Sequence, residues 1–120
     1  MVKVSLLMSA LSAFCQEVQE IAAQDEPAWA IVAHAGSGIV YIGIPVHDPT
    51  APDVERLLAH LRTLDGCVAR WQGRRVITRA PVAVKQHCQV WGPPGDDFAL
   101  MRAIKASFDP QHRLNPGRFI

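Results

Sequence analysis

The chain has 120 residues, 49% hydrophobic and 19% charged, with a formal net charge of +1. Such a length bounds it to one domain that buries a core with little margin, and the balance is that of a folded rather than a disordered protein. A charge this close to zero excludes a dedicated nucleic-acid binder, which needs a basic surface, and no apolar run reaches the length of a membrane-spanning helix.

The charge is unevenly spread. Residues 1–50 carry Lys3 against five acids, a net −4, whereas residues 51–120 carry eleven Lys/Arg against six acids, a net +5. Either the surface is simply bipolar, or the second half turns a basic face toward an anionic cofactor or partner domain. Cys15, Cys67 and Cys88 are odd in number and lack ligand spacing, which points away from disulfides and metal and toward free thiols in a reducing cytosol. Cys15 falls on an apolar helix stripe and is expected to be buried. Leu6-Leu7-Met8 is too short and too poorly flanked to be a signal peptide.

In chain order, Val2–Leu6 reads as a strand, and Ser9 as the N-cap of a helix whose buried face is Leu11, Phe14, Cys15, Val18, Ile21 and Ala22. That helix is expected to end by Asp25-Glu26-Pro27. Trp29–His34 and Ile39–Ile44 form a hairpin around Ala35-Gly36-Ser37-Gly38, in which the two glycines supply positive φ. Both faces of the hairpin are apolar, whereas a half-exposed sheet alternates, so something is expected to cover the second face. Thr50-Ala51-Pro52-Asp53 starts a second helix, with Val54, Leu57, Leu58, Leu61 and Leu64 in its stripe and Gly66 as its stop. Val68–Trp71 and Val76–Arg79 read as extended, either one bulged strand or a hairpin, and Val82–Val90 as mostly loop. A third helix, Asp96–Phe108, is stopped by Asp109-Pro110.

Strand, helix, strand, strand, helix, strand is the ferredoxin-like α+β plan: one antiparallel sheet with two helices on one face. The third helix lies outside that plan and either caps an edge or reaches across to a neighbour.

Chemistry-bearing residues are sparse. His34, inside an apolar strand, is either a ligand-facing imidazole or a hydrogen-bonded structural histidine. His47, His60, His87 and His112 are scattered, with no HxxxH or HExxH pair. Asp96-Asp97 suits a helix N-terminus, and no pair of acids sits isolated in an apolar setting. Gly36-Ser37-Gly38 joins two strands, so it is no phosphate cradle, which would open a helix. Arg74, Arg75 and Arg79 read as solvated edge charge, or in the second place as a contact for a phosphate or a partner. Tyr41 and Trp71 suit core or interface packing, or stacking on a ring. From its residues alone the chain is an α+β domain without an evident catalytic machine.

Three stretches then carry a resemblance: A-H-A-G-S-G-I-V-Y at 33–41, V-W-G-P-P-G at 90–95, and M-R-A-I-K-A-S-F-D-P-Q-H-R-L-N-P-G-R-F at 101–119. Together they resemble the C-terminal domain of FAD-linked oxidases of the vanillyl-alcohol-oxidase type, most of all the FAD-binding subunit of bacterial glycolate oxidase. The resemblance covers nearly the whole chain and implies a C-terminal domain at 1–120, with an N-terminal FAD-binding domain absent from this chain. That domain would cover the second sheet face. It further implies FAD as a cofactor shared with that domain, with His34, Asn115, Pro116, Gly117 and Arg118 as the contributing residues. Catalytic members that oxidise D-2-hydroxy acids carry H-x-G-x-G-x-x-H at the hairpin and a downstream Glu-His. Here Ser37 stands at the acid position, Tyr41 replaces the second histidine, and the Glu-His pair is missing. The resemblance therefore implies a flavin-binding subunit without the metal site, inactive as this chain alone. It would lie in a glycolate-oxidase-like complex whose other chains bring a hydroxy-acid-oxidising flavoprotein subunit and an iron–sulfur subunit, cytoplasmic or held peripherally at the inner membrane. The rival expectation is a free-standing ferredoxin-like module that binds a small molecule or self-associates, since this plan hosts many functions. An RNA-binding sheet would need a basic, aromatic face that the strands lack.

Overall fold

A computed structural model describes residues 1–25, 28–46 and 51–116. Four strands, β1 (Val2–Ser5), β2 (Ala30–His34), β3 (Ile39–Gly43) and β4 (Arg74–Ile77), form one antiparallel sheet in the order β2-β3-β1-β4. Helices α1 (Leu11–Ala22) and α2 (Ala51–Arg70) follow β1 and β3, so the chain has the ferredoxin-like arrangement expected of its sequence. A short helix α3 (Val82–Gln86) replaces part of the expected loop, and α4 (Asp97–Phe108) comes last.

Strand register decides which side chains meet the helices. Val2 stands opposite Ile42 and Ile77, and Val4 opposite Val40. All five side chains are buried, together with Phe14 and Val18 from α1 and Leu57, Leu61 and Leu64 from α2. Burying each of these apolar side chains stabilises the fold by roughly 1.5–3 kcal/mol. The opposite face carries two rows: Val32, Tyr41, Lys3 and Val76 in one, His34, Ile39, Ser5 and Arg74 in the other. Among the described residues this face stays open: Val32 is 58% exposed and His34 is exposed.

Several local expectations differ from the structure. Ser9 makes no cap; a 3-10 turn (Met8–Ala10) leads into α1, whose first residue follows Ala10. Cys15 is half-buried, and Cys67 is the fully buried thiol. Only Gly38 of the two hairpin glycines has positive φ, at 63°, after a 3-10 turn over Ala35–Ser37. The Thr50 cap lies outside the described residues. Gly66 does not stop α2. A Cβ there would meet nothing, while Cys67 and Val68 behind it continue the buried stripe, so packing outweighs the glycine penalty of about 1 kcal/mol. The helix instead ends through Gln72, in the left-handed region at φ 51°, with Gly73 N–H donating to Val68 O at 2.9 Å. Residues 68–70 are thereby helical rather than extended, and β4 is a single strand.

Arg75 also departs from the solvated reading. Standing opposite Val4, it points to the helix side and is 4% exposed. Its guanidinium grips both carboxylate oxygens of Asp65 on α2 and donates to Gln89 O at 3.2 Å. A charge buried this deeply is tolerated only with such partners. Arg74, one residue earlier, faces the other way and pairs with Asp97 through two 2.8 Å bonds.

Candidate functional site

The residues implied as flavin contacts come from two places, the β2–β3 end of the sheet and the tail after α4. His34 closes β2 on the open face. Its ring packs edge-on against Tyr41, with centroids 5.7 Å apart and planes at 75°, as diagonal neighbours on paired strands can. Its carbonyl accepts from the Ser37 hydroxyl at 3.4 Å, and its imidazole makes no hydrogen bond among the described residues.

The tail is held by the Asp109 carboxylate together with a backbone turn in which His112 N–H donates to Asp109 O at 3.0 Å. Asp109 ends α4 with its N–H on Lys105 O at 2.7 Å. Its buried carboxylate then accepts from Arg113 N–H at 2.8 Å and Leu114 N–H at 2.9 Å. The Leu114 and Arg113 amides, with Lys105 and His112 nearby, hold the Asp109 carboxyl below the ordinary carboxylate range, working against its desolvation. Lys105 Nζ closes the loop on Leu114 O at 3.2 Å. Asn115 follows in the left-handed region at φ 46°, which asparagine tolerates, and both Asn115 and Pro116 are exposed. Gly117 and Arg118 lie outside the described residues. The sequence marks Asp109 as a helix terminator; its second role, as the clamp of the tail, needs the fold of residues 109–114 to be seen.

Helix α4 leads into the tail and is tied at its start to β4, at the other edge of the sheet from β2. Asp97 in its first turn is bound by Arg74, whose guanidinium holds the Asp97 carboxyl below its usual range. No α4 residue is buried among those described, and Leu100, Ile104 and Phe108 are exposed by 64, 50 and 82%. Their spacing of four places them on one stripe. Met101, one residue on from Leu100, is half-buried.

No hydrogen bond or ring contact joins His34 to the tail among the described residues. The described residues hold an aromatic pair on an open sheet face and, separately, an exposed amide on a clamped tail, and they do not by themselves enclose a flavin. The Ala35–Ser37 turn leads into a strand and offers no helix N-terminus for the phosphates. Among the described residues no three His, Cys, Asp or Glu side chains are placed to share a metal ion. Burial raises all three thiols above their ordinary range, for Cys88 against the pull of Arg75, so none has the depressed pKa of a nucleophile. Among the described residues no helix is long and apolar enough to cross a membrane.

Comparison with known proteins bears on the same stretch. The family described as "FAD linked oxidases, C-terminal domain" matches residues 92–119, which hold α4 and the tail. A D-2-hydroxyglutarate dehydrogenase of Xanthomonas citri pv. viticola is 29% identical over 127 residues, covering 96% of this chain. The chain spans about a quarter (25%) of the length of that relative. No solved structure matches. The chain is thus similar to the C-terminal domain of FAD-linked oxidases and distantly related to a 2-hydroxy-acid dehydrogenase.

Proposed function

We propose that this chain is the C-terminal, substrate-side part of a flavoprotein subunit in a complex that oxidises 2-hydroxy acids, and that it contributes to FAD binding and subunit assembly without carrying a catalytic metal site. The observation that carries this reading is α4. The segment matched by the oxidase family is also one that leaves a row of large apolar side chains, Leu100, Ile104 and Phe108, uncovered. Contiguous exposed apolar surface of this kind marks an interaction site. The open sheet face, with Val32 exposed beside His34 and Tyr41, offers a second surface for the same neighbour.

In this reading an N-terminal FAD-binding domain covers the sheet face and α4, and the flavin lies between the two halves. FAD would supply two-electron redox chemistry there. Asn115 offers amide donor and acceptor groups to the flavin edge, Pro116 and Gly117 set the turn, Arg118 adds a cation, and the His34 imidazole faces the ring side. The glycolate-oxidase-like complex, with its hydroxy-acid-oxidising and iron–sulfur subunits, is the assembly we assign it to, in the cytoplasm or peripherally at the inner membrane. Purified alone, the chain comes out colourless and partly self-associated through its apolar faces. In the complete flavoprotein, Asn115→Ala and Arg118→Ala each lower the FAD retained after gel filtration. A yellow monomer with stoichiometric FAD, or unchanged flavin content in both variants, refutes the assignment.

A further inference from the structure

A cavity of about 560 Å³ lies beside β4, between α2 and the segment 87–95. The size is that of a small-molecule site. It exists because β4 is an edge strand whose free side meets an irregular segment instead of another strand. Ile77 N–H donates to Val90 O at 2.7 Å, and Gly92, at φ 78°, approaches so closely that a Cβ would sit 2.8 Å from Arg75 O. Pro93 and Pro94 then stiffen the segment as it leaves the strand, so it bridges over α2 rather than collapsing on it.

The lining is mostly apolar on the helix side, from Leu58, Leu61 and Val68, and cationic elsewhere. Arg62, Arg74 and Arg75 against Asp65 leave the Lys, Arg, Asp and Glu side chains of the lining at +2. Asp97, outside the lining, matches Arg74 and lowers the local excess to +1. Arg62 has no hydrogen bond or ion pair among the described residues. Arg75, nine-tenths buried, uses three of its five N–H donors on Asp65 and Gln89, and the other two have no acceptor among the described residues. An apolar wall beside one unmatched positive charge and spare guanidinium donors selects a ligand of matching form. Arg62 is exposed at the rim, so water solvates it when the cavity is empty; a carboxylate there exchanges that water for a charge-assisted hydrogen bond, and a dianion exceeds the local excess.

We propose that this cavity binds a small amphipathic monocarboxylate, its apolar body against Leu58, Leu61 and Val68 and its carboxylate on Arg62 beside Arg75. The site goes beyond the flavin reading and does not depend on it.

The test is a titration of the isotope-labelled full chain with phenylacetate and with hexanoate, followed by amide NMR shifts. Both probes are expected to saturate and to move signals of residues 58–69 and 87–92. Phenylacetamide, the same body without the charge, and the variant Arg62→Met are each expected to bind about tenfold more weakly, as loss of one charge-assisted hydrogen bond implies. Ala69→Trp, which fills the cavity from an exposed lining position, is expected to abolish binding while the α1 and β1 signals stay in place. No saturable shift, shifts confined to β2, β3 or α4, or equal affinity for phenylacetate and phenylacetamide overturns the proposal.

Discussion

Replacing Gly38 and Gly36 separately by alanine divides two roles that look alike in the sequence. Gly38 sits at φ 63°, where a Cβ costs roughly 1–2 kcal/mol. An added Cβ would also overlap the carbonyl oxygen of Leu6, the residue whose N–H donates to Gly38 O at 2.9 Å. Relieving that overlap breaks or lengthens this bond, about 1 kcal/mol more. The sum is a loss of about 2–3 kcal/mol for Gly38→Ala. Gly36 lies in the 3-10 turn without positive φ, and a Cβ there would meet nothing within 4 Å. Gly36→Ala should therefore be neutral or stabilising by up to about 1 kcal/mol, through the unfolded chain. Urea unfolding followed by circular dichroism reads both. With a slope of about 1.5 kcal/mol/M, Gly38→Ala lowers the midpoint by roughly 1.5 M while Gly36→Ala leaves it or raises it slightly. Equal midpoints for the two variants would refute the assignment of the left-handed position to Gly38.

Truncating Phe14, which is fully buried, to alanine should cost about 3–5 kcal/mol in the same assay, enough to leave a domain of this size largely unfolded. Arg75→Met leaves Asp65 without its partner; because the Asp65 side chain is 41% exposed and can rehydrate, the expected loss is about 1–3 kcal/mol. Adding Asp65→Leu to Arg75→Met should recover part of that loss, and a double variant no better than the single one would contradict the pairing. Asp109 has its folded pKa depressed, so its contribution is complete above the unfolded carboxylate range and fades as pH falls through the lower folded value. Asp109→Ala should accordingly flatten the acid side of the stability profile and speed proteolysis within residues 109–116, and an unchanged acid limb would show that the clamp contributes nothing.

Much of this was legible in the sequence. The spacing of Leu11, Phe14, Val18 and Ala22 places α1, and the apolar runs place β1 to β3, because periodic burial is written locally. The order of those elements then suffices for the ferredoxin-like plan. The terminal Asp-Pro and Asn-Pro-Gly punctuation likewise marks where α4 stops and a tail begins. What stayed hidden depends on neighbours distant in the chain. Gly66 is a local stop signal overridden by the buried Cys67 and Val68, and Arg75 reads as solvated until its register opposite Val4 turns it under α2 toward Asp65. His34 could be assigned a strand but not a face; the pairing of β2 with β3 sets it beside Tyr41 on the open side. Local propensity and periodicity are properties of a few consecutive residues, so the sequence by itself determined the elements and their order. Register, edge position and the pairing of a buried charge are properties of two segments at once, and for that reason only the tertiary structure decided which side chains face the core, which stay exposed, and where a cavity remains.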